Sequence, residues 1–195
     1  NLDGFLASWA KFYQDVYGIT MEKNRVFLPP VEQALGAGVV MLPGIAIEQD
    51  LAEIKKRTEN SVLYRYTNQN IDKLIRRDNE APRPAGPYAI WTAPAVEATE
   101  QATHLTKKSY NDIMVAGLLP QVMNFAEYAR FFLWFIWATD EPLDKKNWTL
   151  AGSLDADGHV LGGGWSDGRF CARWYIRGSS DPYIRFRQVV LPPLS

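Results

Sequence analysis

The side chains best suited to specific contacts are concentrated in one segment near the C-terminal end of the chain. Its arginines and tyrosines can bury large areas and donate hydrogen bonds, and its serine, glycine and aspartate residues can adapt to different partners. We predict an exposed surface here that contacts a protein or another surface macromolecule. The candidate contact residues are His159, Gly162, Gly164, Ser166, Asp167, Arg169, Cys171, Arg173, Tyr175, Ser179, Ser180, Asp181 and Tyr183.

Residue usage changes at the start of this region. Asn147–Ser195 contains no lysine and no glutamate, whereas residues 1–146 contain nine lysines and ten glutamates. Arginine and aspartate continue through the tail, for example at Arg173 and Asp181. The change concerns residue type and is not a loss of charge, and it predicts that function is concentrated in the tail.

Alternation along one run predicts which of these side chains face solvent. The polar positions Arg169, Cys171, Arg173 and Tyr175 alternate with the apolar positions Phe170, Ala172 and Trp174. Successive residues of a β-strand point to opposite faces of a sheet, so we expect the first set outward and the second inward. An ordinary half-exposed strand gives the same pattern, and the composition of the tail favours a binding surface.

Other residues of the tail are interpreted as scaffold. Regularly spaced aromatic and β-branched residues in β segments are usually core, which applies to Trp165, Trp174, Ile184 and Phe186. Arg185 and Arg187 lie among them. We predict that these arginines pair with carboxylates or backbone carbonyls and do not contact a ligand.

The residues needed for catalytic and metal sites are sparse. Cys171 is the only cysteine and the histidines are His104 and His159, which excludes an internal disulfide, a cysteine-rich zinc site and a histidine cluster. The glycines of Gly162–Gly164 precede neither a helix nor a Gly-Lys-Ser/Thr motif, as a phosphate-binding loop requires. His159 near Asp157 suggests a general base, but a lone loop histidine is more often a surface residue. We expect no catalytic residue, no metal and no cofactor.

Overall charge and hydropathy restrict the partners. The net charge is −1, which disfavours a general nucleic-acid or anionic-membrane binder. The most apolar stretch, Phe131–Ala138, has eight residues, and a membrane-spanning helix needs about 20. We therefore expect neither nucleic-acid binding nor membrane insertion.

Helices and strands are expected to precede a loop-rich β region, which predicts an α+β fold. Apolar spacing predicts helices over Leu2–Tyr17, Ile47–Arg57 and roughly Leu119–Thr139, and strands over Gly38–Leu42, Ser61–Tyr66 and Tyr88–Thr92. Short β-like runs follow at Trp148–Leu150, Phe170–Tyr175 and Ile184–Val190. Residues 1–86 are expected to form an N-terminal α/β portion of the same domain, or a small accessory subdomain, and residues 87–195 carry the candidate surface.

Three groups of motifs occur together in a characteristic order. They are YAIW at Tyr88–Trp91 with the acidic Val96–Glu100; the long aromatic helix and the turn after it, ending near Asp144; and NWTLAGS at Asn147–Ser153, DGHV at Asp157–Val160, Trp165, Trp174, and IRFRQVV at Ile184–Val190. In this order they resemble the C-type-lectin-fold variable proteins of diversity-generating retroelements, which occur in bacteria, archaea and their viruses. The resemblance implies a C-type lectin-like fold, with helices packed on small antiparallel β-sheets, and a hypervariable ligand-binding surface.

The resemblance also accounts for the composition of the tail. In such families a reverse transcriptase copies a template with errors at adenines, and the copy replaces the 3′ end of the gene. AAC codons are the usual targets, and changes at their first two bases cannot encode lysine, glutamate, glutamine, methionine or tryptophan. Asn147–Arg187 contains none of the first four. Its tryptophans, Trp148, Trp165 and Trp174, lie at framework positions of the family pattern.

Two alternative functions remain open. The sequence GGGW, followed by Cys171 and IRFRQVV, is also similar to the sulfatase-modifying scaffold. Its formylglycine-generating members use paired cysteines, whereas this chain has one. A structural virion or fibre component, assembled through the N-terminal half, is the other alternative. Lectin-type calcium binding to sugar needs clustered oxygen ligands, usually including glutamate, which the tail lacks.

Overall fold

The computed structural model describes residues 1–58, 64–65, 69–94, 97 and 103–194. The α-helices in these residues are α1 (Leu2–Tyr17), α2 (Ile47–Arg57), α3 (Ile71–Leu74), α4 (Tyr110–Val115) and α5 (Phe125–Thr139). The strands are β1 (Ala37–Met41), β2 (Tyr64–Arg65), β3 (Tyr88–Thr92), β4 (Trp148–Leu154), β5 (Val160–Ser166), β6 (Arg169–Tyr175) and β7 (Ile184–Phe186). The predicted α+β class is confirmed. Across the described ranges, no helix has the length and apolar character needed to cross a membrane.

The first helix has the predicted bounds because both of its ends are encoded locally. The Asn1 side chain accepts a hydrogen bond from the backbone N–H of Asp3 at 3.0 Å, and Gly18 ends the helix with a left-handed φ of 67°. Such a conformation suits glycine. The inward face buries Trp9 and Phe12, so this helix contributes to the core as its periodicity predicts.

The long aromatic helix begins later than predicted. Leu119–Gln121 forms a separate 3₁₀ turn, and α5 starts only at Phe125. The Asn124 side chain accepts from the backbone N–H of Glu127 at 2.9 Å, and the Glu127 carboxylate accepts from the backbone N–H of Asn124 at 2.8 Å. This capping box fixes the start of the helix. The predicted inward residues are nevertheless all buried, namely Val122, Phe125, Ala129, Phe132 and Ile136.

The larger sheet is mixed, which corrects the expectation of small antiparallel sheets. Strands β1 and β3 form an antiparallel pair, and the five-stranded sheet has the order β2-β6-β5-β4-β7. Its three central strands are antiparallel, but β2 runs parallel to β6 and β7 runs parallel to β4. A hairpin cannot join parallel neighbours such as β4 and β7. The chain instead reaches β7 from β6, through residues 176–183, which cross over β5 and β4.

Two of the sequence motifs extend beyond the described residues. In the predicted strand Ser61–Tyr66, only Tyr64 and Arg65 are described, and they form β2. In the acidic motif Val96–Glu100, only Glu97 is described. The other positions of both motifs lie outside the described residues.

Strand β5 contains three glycines, and its strand structure is not predicted from sequence. A Cβ on Gly163 would lie 2.5 Å from the ring of Tyr128. Real Cβ atoms essentially never approach that closely, so a larger residue would displace the ring. The glycine therefore permits the close approach of α5 to the sheet, a use of glycine that local sequence patterns do not reveal.

The two faces of the larger sheet pack into different apolar clusters. Leu161, Phe170 and Ala172 join α1, α2 and α5 in the main core, which takes residues from both the 1–86 and the 87–195 portions of the chain. Leu150 and Val160 belong to a smaller cluster that includes residues of α4. The main core thus covers one side of the sheet, and the smaller cluster covers part of the other.

Three arginine–carboxylate pairs, two fully buried and one nearly so, tie the described elements together, and each includes a tyrosine hydroxyl. The pairs are Arg130 with Asp50 at 2.6 Å, Arg83 with Glu127 at 2.6 Å and Arg187 with Asp144 at 2.7 Å. Arg130 also donates to the hydroxyl of Tyr13, while the hydroxyls of Tyr88 and Tyr128 donate to Glu127 and Asp144, respectively. Removing one partner of such a pair typically costs about 3–5 kcal/mol, because a buried charge is left uncompensated.

The predicted pairing of two arginines in the tail, with a carboxylate and with backbone carbonyls, is confirmed. Arg187 is fully buried and pairs with Asp144. Arg185 donates to the backbone carbonyls of Asp181 and Ile184 at 3.2 and 2.7 Å. Both side chains therefore hold the β7 region in place.

Candidate functional site

Strands β5 and β6 present alternate residues to the less covered face of the sheet. Gly162 lies opposite Arg173, and Gly164 lies opposite Cys171. The intervening Phe170 points into the main core, where its ring contacts that of Phe132 at a centroid distance of 4.6 Å. The predicted inward and outward sets of β6 therefore lie on opposite faces. Of the inward set, Trp174 is only half-buried, although it packs against the main core.

An open depression of about 290 Å³ lies on this outer face. We call it the Arg173 depression, and its lining residues are Lys146, Trp148, Arg173, Tyr175, Asp181, Tyr183 and Ile184. Every lining residue except Lys146 belongs to the segment without lysine or glutamate. Four of the predicted contact residues, Arg173, Tyr175, Asp181 and Tyr183, are thus brought together.

An arginine stacked on a tryptophan forms part of the depression wall. The guanidinium carbon of Arg173 lies 4.4 Å from the centroid of the Trp148 ring. This is a cation–π distance, worth about 0.5–1 kcal/mol at an exposed site. The backbone N–H of Trp148 donates to the carbonyl of Tyr183 at 2.7 Å, so the stack is tied to the far side of the depression.

Glycines in the central strand allow this stack to form. Trp148 is on β4 and Arg173 is on β6, with β5 between them. A Cβ on Gly164 would lie 3.1 Å from the Trp148 ring, and a Cβ on Gly162 would lie 3.0 Å from the Tyr175 ring. Both glycines are buried beneath these rings. They lie under the rings and do not line the depression, so they are not the exposed contact positions that the sequence predicts.

The loop before β7 presents the most exposed aromatic side chain of the site. The Asp181 carboxylate accepts from the backbone N–H of Tyr183 at 2.8 Å, and its backbone carbonyl accepts from that of Ile184 at 3.0 Å. These bonds form a compact turn, and the Tyr183 side chain remains 64% exposed. Ser179 and Ser180 lie in the same loop but do not line the depression.

Cys171 is buried, which corrects its prediction as a contact residue. The residue is 1% exposed, because it lies opposite Gly164 on one side and pairs with Tyr64 of β2 on the other. Burial raises the pKa of its thiol. A raised pKa reduces the thiolate fraction at neutral pH and makes the thiol less reactive as a nucleophile.

The hairpin between β5 and β6 places three candidate residues outside the depression. Ser166 pairs with Arg169, and Asp167 and Gly168 form the two-residue turn with φ values of 53° and 73°. Two positive φ values are typical of a type I′ hairpin, for which Asp-Gly is a preferred sequence. Asp167 is exposed and the two paired residues are half-buried, so they can contribute only to the edge of a larger surface.

His159 lies in the β4–β5 turn and is held there by Asp155. The Asp155 carboxylate accepts from the backbone N–H groups of Asp157 and His159 at 2.9 and 2.7 Å, and lies 3.1 Å from the His159 ring nitrogen. Ligand atoms of these three residues lie within 4.8 Å of one another, so they could hold a metal ion. The Arg177 guanidinium lies against Gly158 in the same turn and opposes a cation electrostatically. The absence of a metal remains a prediction.

Three lining residues were not predicted from sequence. Lys146 precedes the lysine-free segment, and Trp148 and Ile184 were interpreted as framework and scaffold. Their adjacency to Arg173 depends on the pairing of the four strands from β6 to β7, which no local pattern reports. Ile176, which follows Tyr175, is 73% exposed but does not line the depression.

Comparisons with known proteins do not extend the assignment. No protein-family model matches this chain, and neither the curated proteins nor the solved structures give a match.

Proposed function

We propose that this chain is a binding protein that displays a variable surface on a constant scaffold. In this proposal it is a diversity-generating retroelement variable protein with a C-type lectin-like fold, and it recognises a protein or another surface macromolecule. The observation that carries the proposal is the Arg173 depression. Apart from Lys146, the depression is lined only by residues of the segment whose composition excludes lysine and glutamate.

The separation of surface from core supports the proposal. In β6, Phe170 and Ala172 fill the main core, whereas Arg173 and Tyr175 line the depression. Arg173 and Tyr175 are half-buried and lie outside the main core, so replacing them should cost less stability than replacing Phe170. A surface built in this way can change its side chains while the buried arginine pairs and the main core keep the fold.

The shape and chemistry of the surface favour a macromolecular partner. The depression is open, and tyrosine, tryptophan and arginine are the residues most enriched at energetic hot spots of protein interfaces. Small-molecule sites are usually concave pockets that enclose most of the ligand. A shallow surface with an exposed Tyr183 is better suited to a protein partner than to a small molecule.

The proposal is tested by exchanging residues 158–183 between two natural variants that recognise different targets. Both hybrids and both parents are screened against both targets, and thermal melts show that the hybrids are folded. We expect target preference to follow the exchanged segment. If preference instead follows residues 1–146, the surface is not the binding site. Exchange of residues 1–57, which include α1 and α2, is the matched control and should leave preference unchanged.

A further inference from the structure

We infer that the Arg173 depression takes an acidic segment of a protein partner, with a carboxylate bound by Arg173 and Lys146. The inference rests on the proposed function and adds to it the chemistry of the partner. It follows from the hydrogen-bonding groups that line the depression and from the contact of Arg173 with Trp148.

The lining offers more donors than acceptors. Lys146 and Arg173 carry positive charge, and the side chains of Tyr175 and Tyr183 end in hydroxyls that can donate. Asp181 is the single acidic residue among the lining residues, and its carboxylate already accepts the backbone N–H of Tyr183. The chain as a whole has a net charge of −1, so this local excess of positive charge does not reflect its overall composition.

The stack on Trp148 restricts the Arg173 side chain in the absence of a partner. Its guanidinium carbon lies 4.4 Å from the centroid of the indole ring, and this contact restricts the side chain. Its N–H groups form a rigid fork that matches the two oxygens of a carboxylate. Because part of its conformational freedom is already lost, less entropy is lost on binding. A carboxylate is therefore the complementary group that this side chain is best placed to receive.

Apolar surface beside the cations indicates what should flank the carboxylate. The Trp148 ring, Ile184 and the rings of two tyrosines line the same depression. An acidic residue next to an aromatic or aliphatic residue would satisfy both the charges and the apolar surface. A nucleic acid offers phosphates, but its binding sites usually have a longer basic stripe than two cations beside an aspartate.

The inference is tested by selecting random displayed peptides against the protein and sequencing those that bind. We expect enrichment of aspartate or glutamate next to aromatic or aliphatic residues. A selected peptide is then synthesised, and its affinity is measured for the wild type and for Arg173→Gln, Arg173→Lys and Lys146→Gln. Arg177→Gln is the matched control, because it removes the same charge from an exposed residue of the tail that does not line the depression.

The variants should separate the role of charge from that of geometry. We expect Arg173→Gln to weaken peptide binding about tenfold or more, the loss typical of a charge-assisted pair. Arg173→Lys should retain part of the affinity, since it keeps the charge but not the planar fork. Lys146→Gln, at an exposed position, should weaken binding and reduce its dependence on salt. Arg177→Gln should bind like the wild type, and equal melting temperatures establish that the variants are folded.

The outcomes distinguish the inference from the proposed function. Peptides that lose affinity on substitution of Arg173 or Lys146 but show no acidic enrichment overturn the inference alone. Competition by a single-stranded oligonucleotide at the same site, with no acidic peptides selected, overturns it as well. Selected peptides that bind every variant equally overturn both, as does a failure to select any peptide.

Discussion

Strand β6 allows the separation of core and surface to be tested within a single strand. Phe170 is fully buried, and its ring packs edge-to-face on Phe132 at 4.6 Å. Replacing it with alanine removes a large apolar side chain and leaves a cavity, which costs about 3–5 kcal/mol. Arg173 is half-buried, and its guanidinium stacks on the ring of Trp148. Replacing it with serine should cost only about 0.5–1 kcal/mol, the value of that stack.

The assay is thermal unfolding of the two variants and the wild type, followed by circular dichroism. For a domain of this size, 1 kcal/mol shifts the melting temperature by roughly 2–4 °C. We therefore expect a fall of roughly 6–20 °C for Phe170→Ala and of roughly 1–4 °C for Arg173→Ser. Urea unfolding with unchanged slopes would show that both losses are losses of stability. Equal losses for the two variants would refute the assignment of the two faces.

Three further predictions concern packing, pH and metal binding. Gly163→Ala should destabilise the fold by about 1–3 kcal/mol, because its methyl group would meet a buried tyrosine ring. Gly4→Ala, at a position on α1 with open space around it, should stabilise the fold by about 0.5–1 kcal/mol. Urea unfolding of both variants measures these changes, and equal changes would contradict the prediction. Burial raises the pKa of Tyr13 to about 12 from 10.0. The stability that its protonated hydroxyl contributes is therefore fully present below pH 10 and is lost as the pH rises through 12. A free energy of unfolding that does not fall more steeply in the wild type than in Tyr13→Phe over this window would be inconsistent with the shift. EDTA and calcium should leave the melting temperature unchanged, and a calcium-dependent rise that Asp155→Asn abolishes would establish a metal site in that turn.

The parts of the fold that sequence predicts are those with local signals. The first helix has a capping asparagine and a terminal glycine at its own ends, and its bounds are correct. The start of α5 is also encoded locally, by Asn124 and Glu127, but the apolar run before them obscured it. Strand β5 was missed because its glycines make room for rings on other elements, such as that of Tyr128, and this requirement is not visible in the local sequence. The buried pair of Arg130 and Asp50 joins residues that are 80 positions apart, which a local pattern does not report.

The candidate site shows the same division. Period-2 alternation places Arg173 and Tyr175 on the outward face of β6, and the structure brings both into one depression. The same alternation also includes Cys171, which is buried because a neighbouring edge strand lies beside it. Trp148 reaches Arg173 because the strand between them, β5, has glycines where larger side chains would separate the two. Local periodicity therefore gives the face of a strand, whereas the arrangement of strands decides which residues on that face meet.

The central claim is that the tail is diversified at its outward-facing positions, and sequencing the genomic locus tests it most directly. The account predicts a nearby reverse transcriptase gene and an adenine-rich near-copy of the segment that encodes Asn147–Arg187. Differences between the two copies should lie at template adenines, in codons for outward residues such as Arg173, Tyr175 and Tyr183. The codons for Phe170 and Ala172, which fill the core, should be identical in both copies. The absence of a near-copy, or differences spread equally over inward and outward codons, would contradict the account.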